Sequence, residues 1–107
     1  QRYCHTTPPD VLQRALERLC PESPSGTNDY SLGAGVPVAP EALPCPLLVV
    51  TAAHDRSIVP RDGRIAEYYG GDWLLDEDNG HDLMLEAGWA ALLDRILAWL
   101  DGQLGRG

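Results

Sequence analysis

The chain has 107 residues, 44% of them hydrophobic, and a formal net charge of −8, which suits one packed domain. Its 8 Lys and Arg residues are scattered, which excludes the clustered basic track that nucleic acid requires and leaves the acidity to serve solubility. No apolar run approaches the roughly 18 residues of a membrane-spanning helix, so no integral membrane segment is expected. The start, Gln1 to Pro9, lacks the apolar stretch of a signal peptide, as a processed or truncated chain also would.

Cys4, Cys20 and Cys45 form no short metal-type pair, and an odd count argues against a full disulfide framework. They read as small hydrophobic side chains in a reducing, cytoplasmic compartment, with a Cys4–Cys20 bridge as the alternative.

In chain order, a helix is expected over 8–20. Thr7 can cap it, Pro8 and Pro9 suit its first turn, and Asp10 favours its positive end. Val11, Leu12, Ala15, Leu16 and Leu19 recur at helical spacing until Pro21. Residues 21–46, dense in Pro and Gly, read as a long irregular connection. Leu47–Ala52 is a continuous β-rich apolar run, the pattern of a strand buried on both faces of a parallel sheet. Pro60 opens a helix that runs to Tyr69 and is closed by Gly70 and Gly71. Trp73–Leu75 reads as a second strand. A last helix starts near Ala87 or Gly88, carries Trp89, Leu92, Leu93, Ile96, Leu97 and Leu100 on one stripe, and stops at Gly102.

From Leu47 onward the order is βαβα. The fold class is therefore α/β, with two parallel strands joined by a right-handed crossover. Two such strands make an inadequate sheet and leave open edges. The chain thus reads as incomplete by itself, needing strands from elsewhere or forming a homo-oligomer.

Active groups in an open parallel sheet collect where strands end and loops begin. Asp55 follows the first strand in Ala53-His54-Asp55-Arg56-Ser57. His81 follows the second in Asp78-Asn79-Gly80-His81-Asp82. Adjacent parallel strands bring both loops to one edge, where the carboxylate can fix the imidazole tautomer and stabilise the imidazolium. Taken singly, Asp55 can be a cap or turn residue and His81 an exposed loop histidine. Their joint placement favours an acid–base pair. His54 is the competitor for His81 but has no partner on another strand. A metal site from His54, Asp55, His81 and Asp82 matches no familiar ligand spacing, and no cofactor is implied.

Pro46-Leu47-Leu48-Val49-Val50-Thr51-Ala52-Ala53-His54-Asp55-Arg56-Ser57-Ile58-Val59-Pro60 resembles a strand and acid loop of the α/β-hydrolase fold. Gly80-His81-Asp82-Leu83-Met84-Leu85-Glu86-Ala87-Gly88-Trp89 resembles its catalytic histidine loop and the start of its last helix, and Ile96-Leu97-Ala98-Trp99-Leu100 resembles that helix's ending. The likeness covers 44–102, and Asp55 before His81 agrees with the family's order of Ser, acid, His. It implies that 44–107 is a C-terminal core segment and that 1–43 is a lid-like helix with an irregular linker, similar to lysophospholipase-like and esterase-like members. The helical stripe of Leu12, Leu16 and Leu19 is then either an acyl-pocket roof or an ordinary surface helix.

The family's Gly-x-Ser-x-Gly elbow is absent: Ser23, Ser25, Ser31 and Ser57 lack its glycines. The resemblance therefore implies a partner, a complementary N-terminal hydrolase segment carrying the nucleophile and the oxyanion hole. It also implies a small acyl or ester substrate, with Asp55 and His81 as triad acid and base. The same fold also hosts lyases, cofactor-free oxygenases and non-catalytic relatives. A small self-associating interaction module is the reading without catalysis. Leu83, Met84 and Trp89 are expected to pack the last helix onto the sheet.

Overall fold

The computed structural model describes residues 3–31, 38–58 and 60–105. Val59 and residues 32–37 of the Pro/Gly-rich connection therefore lie outside the described residues.

Helix α1 spans Pro9–Glu17, with Pro9 in its first turn and Asp10 near its positive end. Thr7 does not cap it: the cap position is Pro8, without a side-chain bond, because the Thr7 hydroxyl is used elsewhere. Nor does Pro21 end it. The chain leaves the helix at Arg18, whose amide bonds to Ala15 O at 3.1 Å in a tightened last turn. Leu19, 75% exposed, has nothing to hold a further turn down. A shallow 170 Å³ depression separates the Leu12, Leu16 and Leu19 stripe from Tyr3 and Leu85.

The expected irregular stretch contains a helix, α2, at Pro24–Ser31, and a 3-10 turn at Pro40–Ala42. This corrects the sequence expectation, which read the Pro and Gly residues of 21–46 as breaking every regular pattern. Pro24 occupies the first helical position, where its missing N–H costs nothing. Ser23 Oγ receives the Gly26 amide at 3.3 Å, and Ser23 O receives the Thr27 amide at 3.0 Å.

Strand β1, Leu48–Ala52, pairs in parallel with β2, Asp72–Asp76, in the register Leu48↔Asp72 through Ala52↔Asp76. The mixed helices and small parallel sheet are of α/β character, with 2 strands among the described residues. Helix α3, Arg64–Tyr69, connects the strands and packs on both. It begins after Pro60 rather than at it, since Asp62 Oδ1 accepts the Arg64 amide at 3.1 Å. It ends, as expected, at Gly70, whose φ of 66° suits a residue without Cβ. Thr51, buried in β1, donates its hydroxyl to Arg61 O at 2.7 Å and accepts Trp73 Nε1 at 2.8 Å. One hydroxyl thus ties β1, the crossover and β2.

Helix α4, Trp89–Gln103, runs past Gly102. A helix tolerates an interior glycine for about 1 kcal/mol, and the turn comes at Gly105 with φ 71°. Trp99 Nε1 donates to Asp72 Oδ2 at 2.7 Å and Arg95 Nη1 to Leu75 O at 3.1 Å, which anchors α4 along β2.

The interior is small and mostly polar. Among the described residues Ala52, Ala66 and Leu92 are the buried hydrophobics, whereas Thr51, Asp55, Asp76, Asn79 and Glu86 are buried polar groups. The expectation that β1 is covered on both faces is not met: Leu48, Val49 and Val50 are only half-buried. Met84 and Trp89 are exposed rather than packed on the sheet, and Leu93, Leu97 and Leu100 of α4 are exposed with them. Met84, Trp89 and Leu93, with Val50, Leu83, Leu92 and Ile96, border an open apolar hollow of about 350 Å³. Among the described residues no helix is long and apolar enough to cross a membrane.

Candidate active site

Parallel pairing carries on beyond the strands: Ala53 donates to Asp76 O at 2.9 Å and His54 to Asn79 O at 3.1 Å. The loops after β1 and β2 are therefore laced together at one sheet edge. Asp55 and His81 meet there, with His81 Nδ1 and Asp55 Oδ2 2.9 Å apart. Asp55 Oδ1 accepts the amides of Ser57 at 2.7 Å and Ile58 at 3.0 Å. This fixes the carboxylate plane from the acid loop's own backbone.

Asp55 is buried, and burial pushes its carboxyl up. The hydrogen bonds from Ile58, His81 and Ser57 outweigh that and hold it below the ordinary carboxylate value. An ionised carboxylate only accepts, so Nδ1 carries the proton. In neutral His81 the lone pair is then on Nε2, the arrangement of a general base. Tyr3 lies against the imidazole, with centroids 5.4 Å apart and planes at 53°. A 150 Å³ hollow beside the pair is walled by Ala52, Ile58, Arg61 and Leu83.

The other sequence candidates fall outside this geometry. His54 stacks on His5 with centroids 3.9 Å apart and planes at 11°, both rings exposed. Asp82 points to Cys4, Sγ to Oδ2 3.9 Å. Ser57 contributes its backbone amide to Asp55. Cys4, Cys20 and Cys45 are all free, so no Cys4–Cys20 bridge forms. Among the described residues no cluster of His, Cys, Asp and Glu is placed to hold a metal ion.

Behind the pair lies a second layer that the sequence reading missed. Glu86, fully buried, accepts the amides of His5 at 2.9 Å, Thr6 at 2.9 Å and Gly80 at 2.7 Å, and the Thr7 hydroxyl. Burial raises its carboxyl, but the bonds from Thr7, Thr6, His5 and Gly80 prevail and lower it from 4.5 to about 2. Thr6 Oγ1 donates to Asn79 Oδ1 at 2.6 Å and accepts the Ala87 amide at 3.0 Å. Residues 3–7 thus form a strap across the histidine loop. The signal in the sequence was a carboxylate, Glu86, between Leu85 and Ala87, in a stretch otherwise read as apolar packing. Its strap partners His5, Thr6 and Thr7, more than 70 positions away, left no local pattern. No family model, curated protein or solved structure matches this chain.

Proposed function

We propose that this chain supplies the acid and the histidine of a serine hydrolase of the α/β-hydrolase type, acting on an ester or related acyl bond. The observation that carries the reading is the 2.9 Å Asp55–His81 bond at the paired ends of two adjacent parallel strands. In this reading a serine on a complementary segment attacks the acyl carbonyl. His81 Nε2 takes the serine proton and returns it to the leaving group, while Asp55 orients the ring and stabilises its cation. The complementary segment adds strands at the free edge of β1 and covers the hollow bordered by Val50, Leu83 and Trp89. Its cover would turn a half-buried strand into the interior strand that its composition suits. The α1 stripe, in the same reading, belongs to the lid side of the acyl site.

The test is co-expression of the chain with a polypeptide that carries a Gly-x-Ser-x-Gly elbow and associates with it, assayed with a short-chain aryl ester and a fluorophosphonate probe. The expected result is labelling of the elbow serine and ester turnover, both abolished by His81→Ala. Turnover that survives His81→Ala overturns the assignment.

A further inference from the structure

Both peptide neighbours of His81 are held by groups remote from the Asp55 bond. The Gly80 amide donates to Glu86 Oε2 at 2.7 Å, and the Asp82 amide donates to Tyr3 O at 2.8 Å. The same carboxylate that holds Gly80 also holds the strap, through the amides of His5 and Thr6 and the hydroxyl of Thr7. The fit leaves no slack: a Cβ on Gly80 would come 3.2 Å from the backbone N of His5 and 3.2 Å from Tyr3 O. The Tyr3 ring at the end of the strap then lies against the imidazole itself.

We infer that Glu86 is a positioning residue for the Asp55–His81 pair, acting by locking the 3–7 strap and the Gly80 amide into one frame around the histidine loop. The inference rests on the hydrolase reading for its catalytic consequence, but the geometric claim stands on the strap alone. A carboxylate whose sole task was to fill a buried position would not be chosen, since an unpaired one costs several kcal/mol. Here Oε1 is matched by strap donors, the His5 amide and the Thr7 hydroxyl, and Oε2 by the strap amides of His5 and Thr6 together with the Gly80 amide, so the carboxylate joins two stretches of chain that both lead to His81. A histidine base must be held to within a fraction of an ångström, and a misplacement of 1 Å can cost about a hundredfold in rate.

The experiment compares Glu86→Ala, Glu86→Gln, Thr7→Val and, as a control for general destabilisation, Leu92→Ala. The first readout is the far-downfield Nδ1 proton of His81 by NMR in the 107-residue chain, which needs no activity. The second is kcat and KM for ester hydrolysis in the assembly completed with the nucleophile-bearing segment. Gln keeps one oxygen for the Thr6 and Gly80 amides, and its amide can donate to Thr7. We expect it to retain the proton signal and to stay within about threefold of the parent kcat. Glu86→Ala should lose the signal and about 10- to 100-fold in kcat, with KM little changed. Thr7→Val should weaken the signal without unfolding the chain, and it decides the matter where Glu86→Ala does not fold. Leu92→Ala should lower the melting temperature but keep the signal. An unchanged Nδ1 proton in both Glu86→Ala and Thr7→Val overturns the inference, as does an equal loss of signal in Leu92→Ala. If the signal behaves as expected but the assembly never hydrolyses an ester, the hydrolase reading fails and the positioning role stands.

Discussion

Asn79 Nδ2 donates to Asp76 Oδ2 at 2.7 Å, both groups buried, and so joins the last residue of β2 to the loop that carries His81. The opposite end of the same amide accepts Thr6 Oγ1, and the Asn79 carbonyl accepts the His54 amide. One residue therefore connects β2, the acid loop and the strap. Asn79→Ala removes two side-chain bonds and leaves the buried Asp76 carboxylate short of a donor. Such a loss costs about 1–3 kcal/mol per orphaned group. We expect Asn79→Ala to lower the stability of the chain by about 2–4 kcal/mol in urea unfolding. A change below about 0.5 kcal/mol, the level of an ordinary surface substitution, would remove Asn79 from this role.

Asp55→Asn separates the geometry of the acid from its charge. An Asn carbonyl can still accept the Ser57 and Ile58 amides, so the loop should keep its shape. Its NH2 would then face His81 Nδ1 and favour the tautomer with the proton on Nε2, which cannot act as a base. In the completed assembly kcat for an aryl ester should fall roughly 10³–10⁴-fold, with stability changed by less than ~1 kcal/mol. A loss smaller than tenfold would show that Asp55 does not set the tautomer.

The parallel βαβα order was legible because β1 and β2 are apolar runs separated by a helix-length segment closed at Gly70. The Asp55–His81 contact followed from it, since adjacent parallel strands must present successive loops at one edge. The helix ends were less legible. Thr7 has the composition of a cap, but a buried carboxylate competes for its hydroxyl with more success than the exposed end of α1. The α2 helix was hidden because Pro24 reads as a breaker unless its place in the first turn is known. Least legible was the strap: Tyr3 to Thr7 carry no periodicity, and their partners lie at Asp82, Asn79 and Glu86, across nearly the whole chain.

The carboxylates give the chain a defined acid sensitivity. Glu86 is lowered from 4.5 to about 2, and Asp55 is lowered as well. In both cases the unfolded chain binds the proton more tightly than the folded one. Their contribution is therefore fully present above the ordinary carboxylate range and is lost as pH falls through the folded value. For Glu86 the window runs from about pH 5 down to about pH 2, and the contribution is of the order of 3 kcal/mol. Urea midpoints measured at intervals from pH 7 to pH 2 should be flat to about pH 5 and then fall steeply. Glu86→Gln, which has no proton to take up, should remove the part of that fall that belongs to Glu86 and leave the part that belongs to Asp55. A parent chain whose midpoint does not move between pH 5 and pH 2.5 would mean that the strap is not clamped through an ionised Glu86.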